Sequence, residues 1–202
     1  MRTLPLVPLT VVPAAAVGIG GPLLDASAGP WARALGAALV AGWCYAAIPF
    51  CLGMTSASKV KAAVVGTTAL LVTVVFYYST KAAQGDFRTV DLSETSGREF
   101  FSWGEFANMT LYWCLGGLIL GPPLGLAGRT ARRGAIRLPF QLLVPVVALA
   151  ETMMRLHVEA STVSSPVVWA WESVRATSIA LIVLLIGVAA WGKAQSSFSR
   201  AA

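Results

Sequence analysis

Charge is scarce in this sequence. Only 12% of its 202 residues are Asp, Glu, Lys or Arg, against roughly 25% in an ordinary soluble domain, and 56% are hydrophobic. A water-soluble fold of this size could not cover its own surface with so little polar material. Histidine occurs once, at His157, and cysteine three times, at Cys44, Cys51 and Cys114. One imidazole and three thiols inside apolar segments do not supply the convergent spacing that a zinc or transition-metal site needs. No thiol falls in the long polar loop where an oxidising compartment could cross-link it, so the cysteines read as core packing residues. Also absent are a phosphate-cradling glycine loop, a G-x-S-x-G nucleophile elbow, an H-E-x-x-H zinc helix and the paired Asp-rich motifs that hold magnesium on a diphosphate. These absences weigh against ATP-driven transport, serine hydrolysis and metal-dependent prenyl transfer. No metal or cofactor is expected. The net charge of +6 lies at the ends of apolar runs rather than in one patch, which points to a membrane surface and away from nucleic acid.

What the chain has in abundance is apolar runs of membrane-spanning length. They cover residues 4–24, 31–54, 62–78, 107–127, 138–158 and 167–191, and about 20 apolar residues suffice to cross a hydrocarbon core of roughly 30 Å. The expectation is a single all-α transmembrane domain over the whole chain, a bundle of six helices in contact with the bilayer. The first run has a competing reading, because Arg2, an apolar stretch and Ala26-Ser27-Ala28 resemble a secretory signal with its cleavage site; the run is longer than a usual signal core, which favours an uncleaved helix. Arg2, Lys59, Lys61, Arg129, Arg132, Arg133, Arg137, Lys193 and Arg200 fall at alternate ends of the runs. Basic loops stay in the cytoplasm, so both termini are expected there. All nine carboxylates, from Asp25 to Glu172, fall toward the other ends.

Within the loop at 79–105, Ser96-Gly97-Arg98-Glu99 has the spacing of a capping box, which predicts a helix starting there. Phe100, Phe101, Trp103 and Phe106 follow. They suit either a short interfacial helix or an aromatic belt anchoring the next span. Pro5, Pro8, Pro13, Pro49, Pro122, Pro123 and Pro145 interrupt the runs, and each removes a backbone donor, so kinks are expected. Gly117, Gly121 and Gly125 recur every four residues and leave one helix face bare for close packing, within the monomer in preference to a dimer. No internal repeat supports an inverted-repeat transporter.

Ionisable groups inside a span are functional candidates by default. Glu151 stands seven residues before the end of the fifth run, roughly 10 Å deep at 1.5 Å per residue. Arg155 follows at i+4, on the same helical face. Glu172 and Arg175 enter the next run at similar depth. The pairs are either self-neutralising and structural or the lining of a polar cavity. His157 lies about 120° around the helix from Glu151 and reads as interfacial. Tyr77, Tyr78, Trp113 and Trp169 map to the same outer half, where belt residues collect. Aromatic faces beside acids also bind cations.

The stretch ending in Phe76-Tyr77-Tyr78, together with Ala148-Leu149-Ala150-Glu151, resembles a group of small multi-span membrane proteins from high-GC bacteria. That likeness covers roughly a third of the chain and implies a multi-span fold without an activity, since fold alone does not dictate function. The leading expectation is an outward-facing cavity, lined by acids and aromatics, that binds or helps to transport a small amphipathic or cationic ligand. Its candidate residues are Glu151, Arg155, Glu172, Arg175, Tyr77, Tyr78, Trp113 and Trp169. One alternative is an intramembrane enzyme, such as a metal-independent isoprenoid cyclase in which Glu151 or Glu172 donates the initiating proton. The other is a structural subunit of a membrane complex.

Overall fold

The computed structural model describes residues 6–90, 99–133 and 136–201. The described residues form seven helices and one hairpin: α1 Leu6–Asp25, α2 Pro30–Leu39, α3 Gly42–Thr55, α4 Lys59–Gln84, β1 Arg88–Val90, β2 Glu99–Phe101, α5 Trp103–Arg133, α6 Leu138–Val158 and α7 Ser165–Ala201. Local chemistry sets several boundaries. Pro30 opens α2, where its missing N–H costs no helical bond. Ser58 caps α4 by accepting the Lys61 amide at 3.1 Å. Gly85, at φ +96°, closes the same helix in the left-handed conformation that glycine adopts without a Cβ penalty.

Helix α4 packs against α1, α3 and α5, and α6 packs against α7. The small residues explain how. A Cβ on Gly125 would overlap the Ala62 carbonyl, one on Gly66 the Gly121 carbonyl, and one on Gly128 the Phe50 carbonyl. Backbone therefore meets backbone where α5 crosses α3 and α4, as association in lipid favours. The glycine stripe at 117, 121 and 125 is thus used for packing inside the monomer. The buried clusters are correspondingly small-residue ones: Ala14, Leu52, Val65 and Ala69 in one, Phe50, Ala127 and Ala131 in another. A third, Ala34 with Val167 and Trp171, joins α2 to α7.

Four helices, α4 to α7, are long and apolar enough to cross a membrane. The pair α2 and α3 makes a fifth if it counts as one bent span, and the apolar stretch described in α1, Thr10–Asp25, is shorter than a crossing. Three expectations need correction. The run at 31–54 is not one helix: it breaks at Val40 and Ala41 with a bend of 57°, because the amides after the break find a partner on another helix. The loop at 79–105 contains no separate interfacial helix among the described residues. Instead α4 continues to Gln84, α5 begins at Trp103, and β1 pairs antiparallel with β2 in the register Arg88↔Phe101, Thr89↔Phe100, Val90↔Glu99. Ser96, Gly97 and Arg98 lie outside the described residues, and Glu99 is in the strand. Adjacent aromatics favour the pleated surface, and Phe101 packs on the buried Phe87 at 6.3 Å between ring centroids. Finally, core packing holds for Cys44 alone, since Cys51 is exposed and Cys114 half-buried.

Candidate functional site

The break between α2 and α3 and the carboxylate of Glu151 form one constellation. In an unbroken helix the amides of Gly42 and Trp43 would bond the carbonyls of Ala38 and Leu39, four residues back. Here both turn to Glu151 on α6: Gly42 donates to Oε1 at 2.9 Å and Trp43 to Oε2 at 2.8 Å. Two orphan donors of a helix start are thereby satisfied by a residue 108 or more positions away. Glycine at 42 keeps the approach open, as a Cβ there would sit 3.2 Å from Oε2.

Arg155 completes the group. Its Nε donates to Glu151 Oε1 at 3.1 Å and its Nη1 to Glu159 at 3.4 Å. The guanidinium also lies 5.7 Å from the ring centre of Trp171, a cation–π distance. Trp171 is 2% exposed and packs under Ala34 of α2, so α2, α6 and α7 are tied at one level.

The other end of α3 carries the opposite charge. Arg132 Nη1 donates to the Met54 carbonyl and Arg129 Nη2 to the Ala57 carbonyl, each at 3.2 Å. An anion at the N-terminus and cations at the C-terminus match the direction of the helix dipole. The short helix is therefore held at both ends by side chains of neighbouring helices.

The remaining candidates are not gathered around Glu151. Glu172 and Arg175 pair with each other at 3.9 Å with side chains 45% and 41% exposed, the regime in which an ion pair adds little. Tyr77 and Tyr78 belong to an aromatic chain that runs edge-to-face from Tyr45 to Tyr78 and on, in a tilted contact, to Phe87. Trp113 meets Tyr112 edge-to-face at the α5 surface, and Trp169 is exposed on α7. His157 is exposed near the end of α6.

Beside the latched break lies a groove of about 250 Å³ between α3, α6 and α7. Val144, Pro145, Ala148, Val174 and Leu181 supply its apolar wall, Trp43 its aromatic one, and Ser173, Thr177 and Ser178 its hydroxyls. Ser173 and Thr177 each donate to a carbonyl one turn back at 2.8 Å, so their hydroxyl protons are spent within α7. No carboxylate is among these residues. Sequence reasoning missed the groove and the roles of Gly42 and Trp43. The available signal was a glycine in mid-run with a proline seven residues later, a combination that weakens a helix before any partner is known.

Fold and site together define a helical bundle with four to five candidate membrane spans, one of them broken. No protein family, curated protein or solved structure matches the chain.

Proposed function

We propose that this chain is a six-crossing membrane protein with both termini in the cytoplasm that binds or carries a small amphipathic ligand in the groove between α3, α6 and α7. The observation that carries the reading is the groove's position against the broken span. Backbone freed from its own helical ladder is tolerated at membrane depth where protein satisfies it, and such breaks line binding sites in transporters. The groove offers a largely apolar wall for a hydrocarbon portion, with Ser173, Thr177 and Ser178 as the polar residues of its lining. Its volume, about 250 Å³, is below the roughly 300–1,000 Å³ of sites for drug-sized molecules, which favours a small or single-chain ligand. The lack of acids in the lining favours an amphipathic ligand over a cation.

The sixth crossing would be α1 taken in full, since the stretch Thr10–Asp25 alone is too short but the 20 residues of Leu6–Asp25 extend about 30 Å at the helical rise. It lies along α4, with Ala14 fully buried and Gly18 against Thr73. The cyclase reading draws no comparable support: three donors engage the Glu151 carboxylate, and Glu172 is a half-exposed partner of Arg175.

A photoactivatable single-chain amphiphile tests the proposal. It should label the segment containing Ser173 to Leu181, and Thr177→Leu, which narrows the groove from its exposed side, should abolish that labelling at unchanged membrane abundance. Equal labelling of the variant, or labelling spread evenly over lipid-facing helices, refutes a ligand site here.

A further inference from the structure

A second groove, at the opposite end of the bundle from Glu151, has a different chemistry. It lies between α1 and α4, has a volume of about 260 Å³ and runs along Val11, Val60, Val64, Val65 and Thr68, with Lys61 in its wall. Residues 61, 64, 65 and 68 share one face of α4, as the i, i+3, i+4, i+7 spacing requires. Val60 is 74% and Val64 57% exposed, so no described residue closes the groove over them. A lysine in such a position can cover apolar surface with its methylene stem while its ammonium stays in water.

The charge around this end is of one sign. Lys59 and Lys61 begin α4, and α5 brings Arg129 and Arg132 to the same α3–α4 turn, where they hold the Ala57 and Met54 carbonyls. The sequence has no Asp or Glu between Asp25 and Asp86, or between Glu105 and Glu151. Among the described residues no carboxylate pairs with any of these four cations. The arginines spend donors on backbone, whereas no described acceptor engages the two ammonium groups. An apolar trough ending in unneutralised cations is complementary to an anionic amphiphile, and a membrane supplies one in its lipids.

We infer that the α1–α4 groove seats one acyl chain of an anionic phospholipid, whose headgroup phosphate is bound by Lys61 and Lys59. The inference rests on the membrane-spanning reading above and is independent of the ligand groove. The chain needs the valine wall and the lysines need a headgroup of net negative charge: a zwitterionic lipid brings a cation of its own that the lysines repel, and a free phosphate ester lacks the chain.

Native mass spectrometry of the full chain in detergent, titrated with phosphatidylglycerol or phosphatidylcholine of matched chain length, tests it. The native protein should retain phosphatidylglycerol preferentially. The double variant Lys59→Gln/Lys61→Gln should lose the preference, falling to the phosphatidylcholine level. Val64→Trp should reduce retention by filling the trough with every charge in place. Arg88→Gln, at the other end, should change nothing, and melting curves run alongside check that each variant is folded. Equal retention of the two lipids by the native chain, or an undiminished preference in the lysine variant, overturns the inference. So does displacement of the lipid by glycerol phosphate, which would leave only a headgroup site. Release of the chain from membranes by alkaline carbonate would overturn both this inference and the spanning reading. Carbonate resistance with no lipid preference would overturn this one alone.

Discussion

Replacing Glu151 by glutamine separates a latch from a ligand contact. The carboxylate receives Gly42 on one oxygen, Trp43 on the other and Arg155 on the first. A glutamine keeps one carbonyl oxygen, so one amide faces an NH₂ group. Losing a hydrogen bond to a charged acceptor costs about 1.5–3 kcal/mol, and the surviving bond becomes a neutral one. Arg155 retains Glu159, and the Arg155 and Glu151 side chains are 27% and 14% exposed. The roughly 3–5 kcal/mol for breaking a fully buried pair is therefore an upper bound. We expect Glu151→Gln to destabilise the protein by about 2–4 kcal/mol. Arg155→Gln leaves the cap intact and should cost only about 1 kcal/mol, as for a partly solvated pair. The double variant should sit at the level of Glu151→Gln instead of recovering, because the amides of α3 still lack their acceptor. Denaturant unfolding in micelles gives the three energies, and amide exchange reads the cap directly, with Gly42 and Trp43 losing protection in both variants that lack Glu151. Unchanged protection of those two amides in Glu151→Gln, or full rescue by the second substitution, would refute the capping argument.

Gly125→Ala should destabilise by about 1–3 kcal/mol, the range for overpacking, because the new methyl meets the Ala62 carbonyl; Gly116→Ala, with open space at its Cβ, should stay within about 0.5 kcal/mol of the native protein. Equal melting of these two variants would sink the account of α5 packing. Arg132→Gln removes a charged donor from the Met54 carbonyl and should cost about 1–2 kcal/mol by denaturant titration; no change would mean that the α3 C-terminus needs no cation. Reporter fusions at Arg133 and Ser197 are expected to report cytoplasm and one at Asp91 the outside, and an external Arg133 would end the six-crossing topology.

Helical class and the presence of helices long and apolar enough to cross a membrane were legible in the sequence because both follow from one-dimensional quantities, the length and apolarity of runs. The Glu151–Arg155 pair was legible for a related reason: i and i+4 are neighbours on any helix, whatever surrounds it. The glycine stripe likewise announced a close approach, though the partner helices α3 and α4 had to be seen to be named. The hairpin in the loop at 79–105 was hidden by a capping-box spacing that coexists with strand-favouring phenylalanines, and contact with Phe87 decides between them.

What the chain could not announce is where distant residues meet. A helix ends when its amides find better partners, and those of Gly42 and Trp43 find theirs on α6, so the break at Val40 and Ala41 is a tertiary event inside an unbroken apolar run. The two grooves are tertiary in the same sense, since each is the space left where small and branched side chains of separate helices fail to fill the gap between them. Hydropathy reports how much of each residue can leave water. It does not report which neighbour receives it, and that choice belongs to the packing of the bundle.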